Sequence, residues 1–218
     1  MKQLSLKILF CVSTLGLFSC GQKKDAVCVE AVDLGLSVKW ASCNVGADSP
    51  EDYGGYYAWG ETKEKDYYGW ETYKWCKGND YSMTKYCEDS HAGTIDNKTT
   101  LAPKDDVAHV KWGDGWRMPT MAELEELRTE CVWNWTIRNS VFGYQVTGPN
   151  GNSIFLPAAG VHNDMGVCAL PHGGYYWSAT LYMMDSGCAY SFSFHGYERY
   201  RSNGAGRSDG CTVRPVKE

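Results

Sequence analysis

The stretch 117-RMPTMAELEELRTEC-131 decides how this chain folds. Thr120 is placed to cap a helix N-terminus, and Glu123 three residues on completes a capping box, each side chain accepting the other residue's free backbone N–H. Met121, Leu124, Leu127 and Cys131 follow at the spacing of one helical face. Glu123, Glu125 and Glu126 lie near the start and Arg128 towards the end, as the helix dipole prefers. The spacing predicts a helix that buries one face.

Outward from it the sequence reads as strands. In 143-GYQVTGPNGNSIFL-156 two strand-like runs, 144–147 and 153–156, flank a Gly-Pro-Asn-Gly-Asn turn and predict a hairpin. Three more short strands are expected in 174-GYYWSAT-180, 189-AYSFSFHG-196 and 211-CTVRPV-216. Alternation in the second aims Tyr190, Phe192 and Phe194 at the core and turns Ser191, Ser193 and His195 outwards. Upstream, 34-LGLSVKWASCNVG-46 and 54-GGYYAWGE-61 look like a strand pair, and the acidic, Tyr-rich residues 61–106 lack periodicity and read as long loops. With 24 glycines and 14% aromatic residues, the composition fits an α+β, loop-rich fold whose core is filled by rings. No linker divides residues 32–218, which read as one domain.

The first residues are of another kind. In 1-MKQLSLKILFCVSTLGLFSC-20, Lys2 and Lys7 precede an apolar run too short to span a membrane, the pattern of a secretory signal. Leu17-Phe18-Ser19-Cys20 resembles a lipobox, so Cys20 is the expected lipid anchor, followed by a tether over residues 21–31. The expected location is the outer membrane or cell surface of a bacterium, held by lipid. Losing Lys2 and Lys7 takes the formal charge from −5 to −7, and without a basic stripe nucleic acid is not an expected partner. Ten cysteines become eight once Cys11 leaves and Cys20 is acylated. An oxidising location permits disulfides among them, with Cys76–Cys87 the first pairing to consider, and no C-x-x-C or H-E-x-x-H spacing suggests zinc.

Four separated stretches, 32-VDLGLSVKWASCNVGADSPEDYGGYYAWGE-61, 115-GWRMPTMAELEEL-127, 174-GYYWSAT-180 and 213-VRPV-216, together resemble the FISUMP family of exported bacterial proteins. That resemblance implies a C-type-lectin-like fold, shared with formylglycine-generating enzymes, whose helix motif RLPTEAEWE is similar to the residues from Arg117 to Leu124. A subset with this fold serves as targets of diversity-generating retroelements, whose variable tails are enriched in Tyr, Ser, Asn, Asp, His, Arg, Gly and Cys. The tail 189-AYSFSFHGYERYRSNGAGRSDGCTVRPV-216 has that palette, so this resemblance implies a tail that varies at exposed positions.

Several sharper motifs are weighed against it. Gly206-Arg207-Ser208-Asp209-Gly210 matches the G-x-S-x-G elbow of hydrolases, but a proline-containing run follows where a helix is needed and no later histidine exists. Cys188 and Cys211 lack the flanks of the copper-binding pair of formylglycine-generating enzymes and read as a disulfide or two buried thiols. Asp105-Asp106 and Glu51-Asp52 read as solvated carboxylates, and no metal or cofactor is expected. Trp40, Trp59, Trp112, Trp116 and Trp177 are expected mostly in the core. From Gly196 to Asp209 no apolar residue recurs, which predicts an exposed segment held only at its ends. The candidate ligand-binding residues are therefore Tyr182, Asp185, His195, Tyr197, Arg199, Tyr200, Arg201 and Asn203, rings and guanidinium groups typical of interfaces. A non-enzymatic surface for an external protein or glycan ligand is the expectation; an enzyme related to formylglycine-generating enzymes and a structural envelope or adhesin subunit are the alternatives.

Overall fold

A computed structural model describes residues 29–113, 115–196, 198–199 and 203–218, with Arg199 described by its backbone alone. The expected signal and most of the tether, with Cys20 and Cys28, lie outside the described residues, as do Tyr197, Tyr200 and Arg201.

Along the chain the elements are β1 (Ala31–Val32), β2 (Lys39–Ala41), α1 (Val107–Trp112), β3 (Trp116–Arg117), α2 (Met121–Glu130), β4 (Val132–Arg138), β5 (Val141–Thr147), β6 (Ser153–Pro157), β7 (Val161–Asn163), β8 (Gly166–Cys168), β9 (Gly173–Leu181), β10 (Cys188–His195), β11 (Glu198–Arg199), β12 (Asn203–Gly206) and β13 (Val216–Lys217). They form small antiparallel sheets, ordered β1-β2-β13-β3 and β4-β5-β6, with a β7-β8 ribbon and a sheet in which β10 pairs with β9 on one side and with β11 and β12 on the other. The fold is α+β, mostly strand, and rich in loops.

Helix α2 forms as its residues predict. The Thr120 hydroxyl accepts the Glu123 N–H at 3.3 Å, and the Glu123 carboxylate accepts the Thr120 N–H at 2.7 Å. Arg117 grips the same carboxylate with two nitrogens, at 2.8 and 2.7 Å, fixing the helix start to β3. Leu124 and Leu127 are buried, while Met121 is only half-buried. The hairpin β5-β6 also matches, but it gains a third strand, β4, that lacked a clear signal because its side chains are mostly exposed or half-buried.

The sheet of β9 and β10 is buried on both faces, and this corrects part of the expected orientation of β10: Phe192 and Phe194 enter the core and His195 is exposed as expected, but Ser193 is half-buried and Ser191 and Tyr190 differ. Tyr176 of β9 and Phe192 and Phe194 of β10 join Leu124, Leu127, Val146, Ile154 and Leu156 in one core. Trp177, Ala179 and Leu181 of β9 and Ala189 of β10 turn the other way, into a second core with Trp59, Val45, Val107 and Met118. Period-two alternation holds, but both sides are covered. Ser191, expected outside, is therefore buried, and Tyr190, expected as an anchor, is half-buried. A Cβ at Gly174 would lie 2.3 Å from the Phe194 ring, so only glycine lets that ring lie flat on β9.

Other expectations are corrected too. The stretch 54–61 does not pair with 34–46 as a strand; β2 lies instead between β1 and β13, and Tyr57 makes a lone bridge to Cys211. In 211–216 only Val216 belongs to a ladder, Cys211 and Thr212 making isolated bridges. Residues 61–106 are loops apart from two short 3-10 turns, Trp70–Thr72 and Pro103–Asp105, yet they close over a third core of Ala58, Tyr68, Tyr73, Met83, Cys87 and Ala92. Asp105 and Asp106, expected in solvent, are buried: Asp105 accepts from the Tyr86 hydroxyl at 2.7 Å and pairs with Lys85, and Asp106 caps α1, accepting the N–H groups of Ala108 and His109. Cys76 and Cys87 are not joined: the Cys76 thiol donates to the Trp70 and Tyr73 carbonyls and the Cys87 thiol to that of Asp89, and all seven described cysteines are free. Trp40, Trp59, Trp116 and Trp177 are core residues as expected, and Trp112 is packed against the second core.

Candidate functional site

Of the expected binding residues, Tyr182 and Asn203 lie at the edge where β12 meets β10. Tyr190 lies opposite Gly204 and Ser191 opposite Asn203. The Tyr182 ring meets Tyr190 edge-on with centroids 4.9 Å apart, and it lies over Gly204, where a Cβ would come within 2.6 Å of it. Asn203 is exposed beside them, and Met183 and Met184, at 74% and 78% exposure, project from the turn that follows Tyr182.

Asp185 has a local task in that turn. Its carboxylate accepts the Gly187 N–H at 2.7 Å and the Cys188 thiol at 3.6 Å, so it caps the connection between β9 and β10. His195 is exposed but sits five residues beyond Tyr190, roughly 16 Å along the strand, opposite Gly173 and Glu198. The Arg199 backbone pairs with Phe194. The candidates therefore divide between the two ends of β10, Tyr182 and Asn203 at one and His195 at the other.

The segment 203–209 is not free, contrary to its reading as an exposed loop. β12 is a ladder strand, Ser208 is buried, and Arg207 is wholly buried. The Arg207 guanidinium donates to the Tyr73 hydroxyl and to the carbonyls of Tyr86, Ser186 and Lys85 at 2.8–3.0 Å, and it lies 4.9 Å from the Trp59 ring. Polarity misled here because a guanidinium can be buried when carbonyls take its donors. The G-x-S-x-G match is followed by lone bridges, with no helix.

Further concavities lie elsewhere among the described residues. A groove of about 520 Å³ is lined by Leu101, Pro103, Trp116, Arg117, Met118 and Lys217 among others. Two of its polar side chains serve the fold: Arg117 holds Glu123, and Asp106 accepts three backbone N–H groups, that of Met118 at 2.8 Å included. Beyond Trp116 a second hollow of about 470 Å³ is walled by Trp112 and Trp116, packed edge-on at 5.3 Å.

A smaller cleft, about 170 Å³, is bounded by Tyr67, Tyr68, Trp70, Glu71, Asp164, Ser208 and Asp209. Burial, then the nearby charge of Asp164, pushes the Asp209 carboxyl up to about 6. Sequence reading missed this cleft because its residues come from three separated segments and share no spacing. Among the described residues no group of three or more His, Cys, Asp or Glu is placed to hold a metal ion.

Cys188 and Cys211 are unsuited to thiolate chemistry. Burial, then Asp185, pushes the Cys188 thiol up to about 12, and burial raises Cys211 well above its usual range. No protein-family model, curated protein or solved structure matches the chain.

Proposed function

We propose that this chain is a lipid-anchored, non-enzymatic binding domain of the FISUMP family, with a C-type-lectin-like fold, that presents its β10–β12 edge to an external protein or glycan. The observation that carries this reading is the join at Gly204: Tyr182 and Tyr190 stand together beside exposed Asn203 and two exposed methionines. Amphipathic rings with adaptable amides and methionines make a surface suited to recognition. The strand beneath is anchored by Phe192 and Phe194 in the core, so the surface is held rigidly.

The enzyme alternative is less well supported, because burial raises the Cys188 and Cys211 thiols, and in the groove beside Trp116 both Arg117 and Asp106 already serve the fold. Retention at the outer membrane or cell surface would come from Cys20, and among the described residues no helix is long and apolar enough to cross a membrane.

The test is a glycan microarray and a display library of surface proteins, probed with the wild type and with Tyr182→Ser/Asn203→Ala. Ligands of the wild type should be lost by the variant at an unchanged melting temperature. Equal binding by the variant would overturn the assignment of this edge.

A further inference from the structure

We infer that the cleft between Tyr67, Trp70, Asp164 and Asp209 is a second binding site, built to take the ammonium of a lysine side chain from a protein partner. Three features converge on that chemistry. Glu71, Asp164 and Asp209 set negative charge around it, and the exposed Tyr67 and half-buried Trp70 supply the aromatic walls that attract an ammonium and flank an alkyl stem. At about 170 Å³ the cleft suits a single side chain rather than a drug-sized molecule.

The second feature is a set of polar groups left idle. Ser208 lines the cleft at 3% exposure, and its hydroxyl has no hydrogen-bond partner among the described residues. The Asp209 carboxylate, half-buried beside it, likewise has neither hydrogen bond nor ion pair there. A hydroxyl and a carboxylate that meet only solvent in one concavity leave acceptors there for an incoming donor. An ammonium carries three donors and no acceptor, which matches two carboxylates and a hydroxyl.

The third feature is precedent inside the molecule. Lys65 sets its ammonium 5.4 Å from the Tyr68 ring and 5.8 Å from that of Tyr73, with Glu61 at 3.1 Å. The same combination of rings and carboxylate already holds a lysine on the neighbouring side of Tyr68. A metal ion is disfavoured by geometry, since the carboxylates do not converge as a ligand set. None of the cleft residues belongs to the β10–β12 edge, so either site can fail without the other.

The test is a titration of the isotope-labelled protein with the peptides acetyl-Gly-Lys-Gly-amide and acetyl-Gly-norleucine-Gly-amide, followed by amide shifts and the indole signal of Trp70. The lysine peptide should give saturable shifts at residues 67–71, 164 and 208–209, with the neutral peptide at least about tenfold weaker. Asp164→Asn, an exposed change, and Asp209→Asn should each weaken the lysine peptide about tenfold. Equal affinity for both peptides, absence of saturable shifts in the cleft, or unchanged affinity in Asp164→Asn would overturn the inference. So would a calcium titration that moves the same signals more tightly than the peptide.

Discussion

Arg207 meets no carboxylate among the described residues, and its charge is spread over carbonyls and rings in a dry site. Arg207→Met would orphan three carbonyls, each worth about 1–3 kcal/mol when buried and unpaired, so a loss of about 3–5 kcal/mol is expected. Arg207→Lys should also be destabilising, because a point charge cannot reproduce the planar fork. Denaturant midpoints check both; a change under about 1 kcal/mol in the methionine variant would show those carbonyls finding other partners. Asp209 gives a pH signature. Its carboxyl is raised by burial and by Asp164, and its charge is felt in turn by Cys188 and Cys211. Between the unfolded value near 3.9 and the folded value of about 6, the folded state keeps a proton that the unfolded state has lost. The associated stability is whole below about pH 4 and lost as pH rises through about 6. Asp209→Asn should therefore gain about 1–2 kcal/mol at pH 7, after allowance for solvent screening, and little at pH 4. Thermal unfolding across that range measures it, and a gain that is the same at both pH values would mean the carboxyl is not perturbed in the fold.

At the scale of elements, what could be read in advance is what is local. The α2 cap is settled within four residues, so Thr120 and Glu123 announce it, and the β5–β6 turn is written in Pro149, Asn150 and Gly151. Thr120→Ala should lose about 1 kcal/mol, and Leu124→Ala or Leu127→Ala about 2–5 kcal/mol, because both leucines lie in the first core. Neutral denaturant midpoints for both leucines would mean that α2 contributes no buried face. Elements whose partners are distant were hidden. α1 is a short helix capped by Asp106, whose carboxylate also holds Met118, a contact that no spacing reveals. Ser191 looked solvent-facing because alternation marks two faces but does not say that both are covered. The candidate site was legible at Tyr182 and Asn203, whereas the cleft of Tyr67, Trp70, Asp164 and Asp209 exists only once three segments meet.

Over the whole molecule, the three cores are bound to one another by groups near the chain's end. Arg207 joins Tyr73 of the third core to the carbonyls of Lys85, of Tyr86 in the second core and of Ser186 in the turn before β10. Arg214, also wholly buried, donates to Asn44, Ala41 and Ser42 on one side and to Phe155 of β6 on the other. Loops without regular structure thus share the stability of the sheets, and unfolding should be cooperative. Three buried cysteines report on the cores separately: Cys131 in the first, Cys211 in the second and Cys87 in the third. In variants keeping one of these thiols each, labelling by a thiol reagent should give opening free energies within about 1 kcal/mol of one another. Adding Arg207→Met should lower the protection of Cys87 furthest, since that change cuts the third core from its support while Arg214 still joins the first core to the β1–β2 region. If Cys87 were already far less protected than Cys131 and Cys211 with Arg207 in place, the long 61–106 stretch would open on its own. The lysine cleft it carries would then be a site on a moving cover, not on a fixed wall.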